Sequence, residues 1–144
     1  MAQPDPPPPI VRTAPVSSVV VMLPVSDVER SAAFYAHLGF RVGNRVPRTG
    51  AMHWAWLFSP TASDWRLGPN LMLSRGNGVP DAQAHPVVLY LYAGQLAALR
   101  DQLVAAGLEP GPIEFPDYLP LGECFLKDPD GHHIYLAQSF DDTP

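Results

Sequence analysis

Apolar and polar positions follow two alternating periods along this chain. The run SSVVVMLPV from Ser17 is β-branched and almost wholly apolar, which predicts a buried strand. In SDVERSAAFYAHLGF, Val28, Ala32, Tyr35 and Leu38 recur at helical spacing and Phe34 widens the apolar face. Ser26 and Glu29 have capping-box spacing, and Gly39 stands where a helix-ending glycine belongs. Three strands follow, RVGNRV, MHWAWLF and NLMLS, separated by the loop formers of VPRTG and SPTASDWRLGP. The order then recurs. HPVVLYLY predicts a strand, and GQLAALRDQLVAAG a helix with Leu96, Leu99, Leu103 and Ala106 on one face and Gly107 at its end. Further strands are expected around Leu108 to Phe115, Leu121 to Leu126 and His133 to Gln138. The economical reading is an α+β fold of two tandem βαβββ modules, over about residues 16–76 and 84–140 of a single domain.

Composition narrows what such a domain does. The 144 residues are 47% hydrophobic and 16% charged, enough for a core and too polar for a membrane protein. No apolar run approaches the roughly 18 residues of a spanning helix. The start, MAQPDPPPPIVRTAP, lacks the basic and apolar regions of a signal peptide, so a cytoplasmic protein is expected. Its prolines, Pro4, Pro6 to Pro9 and Pro15, predict a flexible tail over residues 1–15. A net charge of −5 with nine Lys plus Arg argues against nucleic acid and at most favours a cationic ligand. The lone Cys124 permits neither an internal disulfide nor a cysteine metal site. DPDG, Asp128 to Gly131, lacks the ligand series of a calcium loop and reads as a turn, with Pro129 presetting φ and Gly131 free to adopt a positive one.

Taken together, LPVSDVERSAAFYAHLGFRV, LYLYAGQLAALRDQLVAAG and the terminal DPDGHHIYL resemble the vicinal oxygen chelate superfamily: glyoxalase I, extradiol dioxygenases, fosfomycin-modifying enzymes and bleomycin-resistance proteins. The likeness spans roughly Val16 to Ser139. It implies mixed sheets curved around a cleft, helices on the convex side, and a homodimer that often completes the cleft.

The catalytic members of that superfamily hold a divalent metal through four lone-pair donors, one from the first and one from the last strand of each module. Here the resemblance places those positions on Val20, Met72, Val88 and Tyr135. None is a usual His, Gln or Glu ligand, and a register step at the fifth strand offers only Val87 or Leu89. No metal or other cofactor is therefore expected. The donors left for a displaced site are His53, His85, His132, His133, Glu114 and Glu123.

If those positions face the cleft, strand alternation turns Met22, Tyr90, Tyr92 and His133 the same way, and Val19, Val21, Leu23, Leu89, Leu91, Ile134 and Leu136 toward the core. Met52, Trp54, Trp56 and Phe58 share the other candidate cleft face. Tyr118 and Glu123 border the cleft in the second module, where Glu123 either pairs with a cationic group or faces solvent, and Cys124 points inward. The candidate ligand-binding set is Trp54, Trp56, Tyr90, Tyr92, Tyr135, Met22, Met72, His133, Glu123 and Tyr118. Aromatic walls without an evident base or nucleophile suit a protein that binds a small hydrophobic, aromatic or cationic molecule. The competing expectation is a glyoxalase-type lyase or dioxygenase with an unconventional metal site.

Overall fold

The computed structural model describes residues 4, 16, 18–75 and 86–139, so the proline-rich start and His85 lie outside the described residues, apart from Pro4. In chain order the elements are β1 (Val21–Pro24), α1 (Val28–Ala36), β2 (Arg41–Val46), β3 (Trp54–Phe58) and β4 (Asn70–Ser74), followed by β5 (Val88–Ala93), α2 (Leu96–Ala105), β6 (Glu123–Lys127) and β7 (His133–Gln138). A short 3₁₀ turn, Trp65–Leu67, precedes β4. The strands form two mixed sheets, ordered β1-β4-β3-β2 and β5-β7-β6. In each, the first strand of the repeat runs parallel to the last, Met22 opposite Met72 and Tyr90 opposite Tyr135. That shared topology is the fold signature of the duplicated pattern, and the chain is α+β with βαβββ modules.

One core serves both repeats. Leu23, Tyr35, Ala55, Leu57, Leu71 and Leu73 from the first join Leu96, Leu103, Leu126, Ile134 and Leu136 from the second. Alternation within β3, β4 and β7 delivers every second residue to it, and each fully buried Leu or Ile stabilises by about 1.5–3 kcal/mol. Val19 and Val21 do not join it: Val19 precedes β1, Val21 opens that edge strand, and both are exposed. Met52 leaves the tryptophan face and is buried in the core. It precedes β3, outside the ladder that enforces the period of two, and its N–H donates to Glu29 Oε1 at 2.5 Å.

That bond uses up the carboxylate expected in the capping box. Asp27 caps α1 instead, its carboxylate accepting from Arg30 N at 3.0 Å. Glycine ends both helices as read, Gly39 and Gly107 with φ of 95° and 88°. The first turn of α2 is held by β7, where Gln138 Oε1 accepts from Leu96 N at 3.0 Å. The strand expected over Leu108 to Phe115 is reduced to a single bridge, Glu114 to Glu123. Pro110, Pro112 and Pro116 have no N–H to give a ladder, so the segment follows β6 only through Gly111 N to Phe125 O and the Glu114–Glu123 pair. Arg100 on α2 donates to Gly111 O at 2.7 Å and pins the segment there.

Candidate functional site

The residues opposite the core faces form one cross-strand row on each sheet. On the first sheet Met22, Met72 and Trp56 lie in register across β1, β4 and β3. Trp56 stacks on Phe58 at 5.2 Å and meets Trp65 edge-on at 6.0 Å. Its indole N–H donates to Asn70 Oδ1 at 3.2 Å, and the Asn70 amide nitrogen donates to Trp65 O and Gly68 O, which holds the 3₁₀ turn beside the ring. Val20, Asn44, Trp54, Trp56, Trp65 and Met72 line a recess of about 430 Å³ here.

On the second sheet the corresponding row is Tyr90, Tyr135 and Phe125 across β5, β7 and β6. Tyr90 and Tyr135 stack at 4.8 Å, and Phe125 tilts against Tyr135 at 5.2 Å. His133 meets the edge of Phe125, also at 5.2 Å. Glu123 shares the outward face of β6 with Phe125, but it is buried rather than solvent-facing, at 6% exposure. Its Oε1 accepts from the Tyr118 hydroxyl at 2.6 Å. That bond, then burial and the carboxylate's charge, push the Tyr118 hydroxyl well above its usual range. Burial followed by Glu123 raises Tyr90, so both phenols stay protonated. Cys124 points inward as alternation requires, and burial raises its thiol. Tyr92 is exposed at the β5 edge. The β1 and β5 edges meet along an apolar recess of about 400 Å³, to which Val21, Leu71, Leu89 and Tyr92 contribute.

The candidate residues thus fall into two groups, one per repeat, and among the described residues no ring contact joins them. Sequence reading missed Phe125 and Trp65. Phe125 was accessible, because the period of two places it with Glu123. Trp65 sits in a loop, where no periodicity reports a direction.

The four positions at which the resemblance implies metal ligands offer poor metal chemistry in place. Val20 and Met72 share the first recess, Val88 is opposite His133, and Tyr135 is sandwiched between Tyr90 and Phe125. Two valines, a thioether and a stacked phenol do not make a site for a hard or borderline divalent cation. Nor do three His, Cys, Asp or Glu converge anywhere among the described residues. His132 is fully buried with both ring nitrogens engaged: Nδ1 accepts from Val87 N at 3.0 Å, so Nε2 carries the proton toward Pro24 O at 2.8 Å. His133 and Glu123 stand at opposite ends of the β6–β7 pairing, facing Lys127 and Ala137.

A family model described as Glyoxalase/Bleomycin resistance protein/Dioxygenase superfamily matches residues 17–136. No curated protein matches the chain. Among solved structures, the bleomycin resistance determinant encoded on transposon Tn5 is 22% identical, with a TM-score of 0.66 over 87% of this chain and 99% of that one. A bleomycin-binding protein complexed with bleomycin is 23% identical, TM-score 0.64, over 86% and 99%. TnmS3, an antibiotic binding protein from Streptomyces sp. CB03234, is 23% identical, TM-score 0.63, over 84% and 95%. At these identities the likenesses establish the fold.

Proposed function

This chain belongs to the glyoxalase/bleomycin resistance protein/dioxygenase superfamily, and we propose that within it the protein sequesters a small flat hydrophobic, aromatic or cationic molecule, without metal and without changing it. The observation that carries this reading is the pair of aromatic rows, Trp56 with Met22 and Met72, and Tyr90–Tyr135–Phe125, which include Met72 and Tyr135, two of the four positions at which the resemblance implies metal ligands. Such rows stack on planar ligands and attract cations, but supply no nucleophile or base. Structural neighbours that bind bleomycin or an antibiotic support the same reading. A second copy is part of it: Met22, Val88 and Tyr92 remain exposed beside the rows, apolar surface that a homodimer would cover.

Thermal melts with a panel of planar aromatic compounds, bleomycin among them, test this. A ligand at about a hundred times its Kd adds about 2.7 kcal/mol, a Tm rise of several degrees. That rise is expected to survive a chelator, with the ligand recovered unaltered. No shift across the panel, or a shift abolished by chelation, would overturn it.

A further inference from the structure

The net charge of −5 conceals an uneven distribution. Residues 41–75, which contain β2, β3, β4 and all three tryptophans, hold five arginines, Arg41, Arg45, Arg48, Arg66 and Arg75, against one carboxylate, Asp64. Residues 86–139 hold seven carboxylates against two bases, so the acidity of the chain lies outside the segment that builds the tryptophan recess. Trp54, Trp56 and Trp65 line that recess, and no charged side chain lines it with them.

Two of the arginines stand at its aromatic wall. The Arg66 guanidinium lies 5.1 Å from the centroid of the Trp65 ring, which meets Trp56 edge-on. Arg41 is the cross-strand partner of Phe58, and directly opposed residues share a face of the sheet, so it stands on the tryptophan face beside the ring that stacks on Trp56. Asp64 pairs with Arg66 at 3.3 Å in an exposed contact, and Arg45 is spent on Pro47 O and Gly50 O. Arg41 is exposed, and neither ion pair of the described residues involves it.

We propose that the first recess receives an anionic planar aromatic group, an aryl carboxylate or sulfonate, with its ring against the tryptophans and its charge toward Arg41 and Arg66. The inference rests on the binding reading above and sets the charge preference of this recess opposite to that of the chain as a whole. An aryl ammonium on the same wall would meet two guanidiniums and no unpaired carboxylate, which opposes the attraction of the rings for a cation. Arginine suits the role, since it stays charged and its planar fork matches a carboxylate or sulfonate. Stacking supplies the affinity and the guanidiniums the selection, which is modest and salt-sensitive because they are exposed.

The test is an NMR titration of the full chain with three ligands that differ in one substituent: naphthalenesulfonate, the uncharged naphthyl methyl sulfone, and naphthyltrimethylammonium. The sulfonate is expected to bind about fivefold more tightly than the sulfone, which corresponds to about 1 kcal/mol, and the ammonium more weakly than either. The indole N–H signals of Trp54, Trp56 and Trp65 should shift. The preference should shrink between about 0.1 M and about 1 M salt, where the Debye length falls from about 10 Å to about 3 Å. It should fall to about twofold or less in R41Q but persist in K127Q, which removes the same charge from β6 of the other repeat. Equal affinities for sulfonate and sulfone, tighter binding of the ammonium, an undiminished preference in R41Q, an equal loss in K127Q, or shifts confined to Tyr90, Phe125 and Tyr135 would overturn the proposal. R66Q gives the same reading should R41Q fail to fold. Binding of all three ligands without preference refutes this inference and leaves the broader reading standing; binding of none refutes both for this ligand class.

Discussion

Gly43 shows how one atom shapes the first recess. A Cβ there would lie 2.5 Å and 2.7 Å from the Cε3 and Cζ3 carbons of Trp56, closer than real atoms approach. The indole therefore lies over bare backbone at the irregularity between Val42 and Arg45, where β2 slips against β3. Gly43→Ala should displace the ring, at a cost of about 1–3 kcal/mol by overpacking. The expected readouts are a lower denaturant midpoint with unchanged slope and altered tryptophan emission. An unshifted midpoint and emission would show that the ring moves aside freely. The sequence showed a glycine inside a strand pattern but not its partner, because the irregularity decides which β3 residue lies opposite. Glu123 has the same history. Its chemistry was legible, whereas its burial depends on Tyr118 and the proline segment folding beside it, contacts that no strand pattern encodes.

At the scale of elements, the DPDG turn does more than reverse the chain. Asp128 Oδ1 accepts from Asp130 N at 2.9 Å and His132 N at 2.8 Å, which builds the turn. Its Oδ2 accepts from the Tyr35 hydroxyl on α1 at 2.9 Å. Asp130 accepts from Ser26 N at 3.1 Å, and His132 reaches Pro24 O on β1. The turn of the second repeat is thus bolted to the first strand and helix of the first. Its local chemistry was readable from Pro129 and Gly131, but partners 93 and 104 residues away were not. Asp128→Ala orphans two buried donors and one half-buried donor and should cost about 2–4 kcal/mol, measured by chemical denaturation. An alkaline signature accompanies the bolt. Burial, reinforced by Asp128, raises Tyr35 far above its ordinary 10.0. The folded phenol keeps its proton while the unfolded one loses it, so its contribution is complete below pH 10 and declines as pH rises further. The slope approaches about 1.4 kcal/mol per pH unit for this group. Tyr35→Phe should flatten that decline; an unchanged slope above pH 10 would remove Tyr35 as its source.

Across the whole molecule, the two repeats share a topology but offer different surfaces. The first presents a four-stranded sheet with tryptophans, the second a three-stranded sheet with tyrosines, phenylalanine and a buried carboxylate. The duplication was legible because strand and helix periods recur in the same order. The separation of the aromatic rows onto two sheets was not, since alternation gives a side chain's face but not the relative placement of two sheets. A planar ligand held on one row alone would keep its other face in water, and the apolar residues flanking both rows would stay exposed with it. A second chain that brings the row of one repeat against that of the other would remove both costs. Light scattering should then give twice the 15.7 kDa chain mass at micromolar concentration. Tyr92→Glu, which places a charge on an exposed β5 edge position outside the core, should retain the secondary structure, shift the mass toward one chain, and weaken aromatic ligand binding in parallel. A monomer that binds as tightly as the dimer would show that each row suffices alone. A variant that stays dimeric but loses binding would instead place Tyr92 on the ligand.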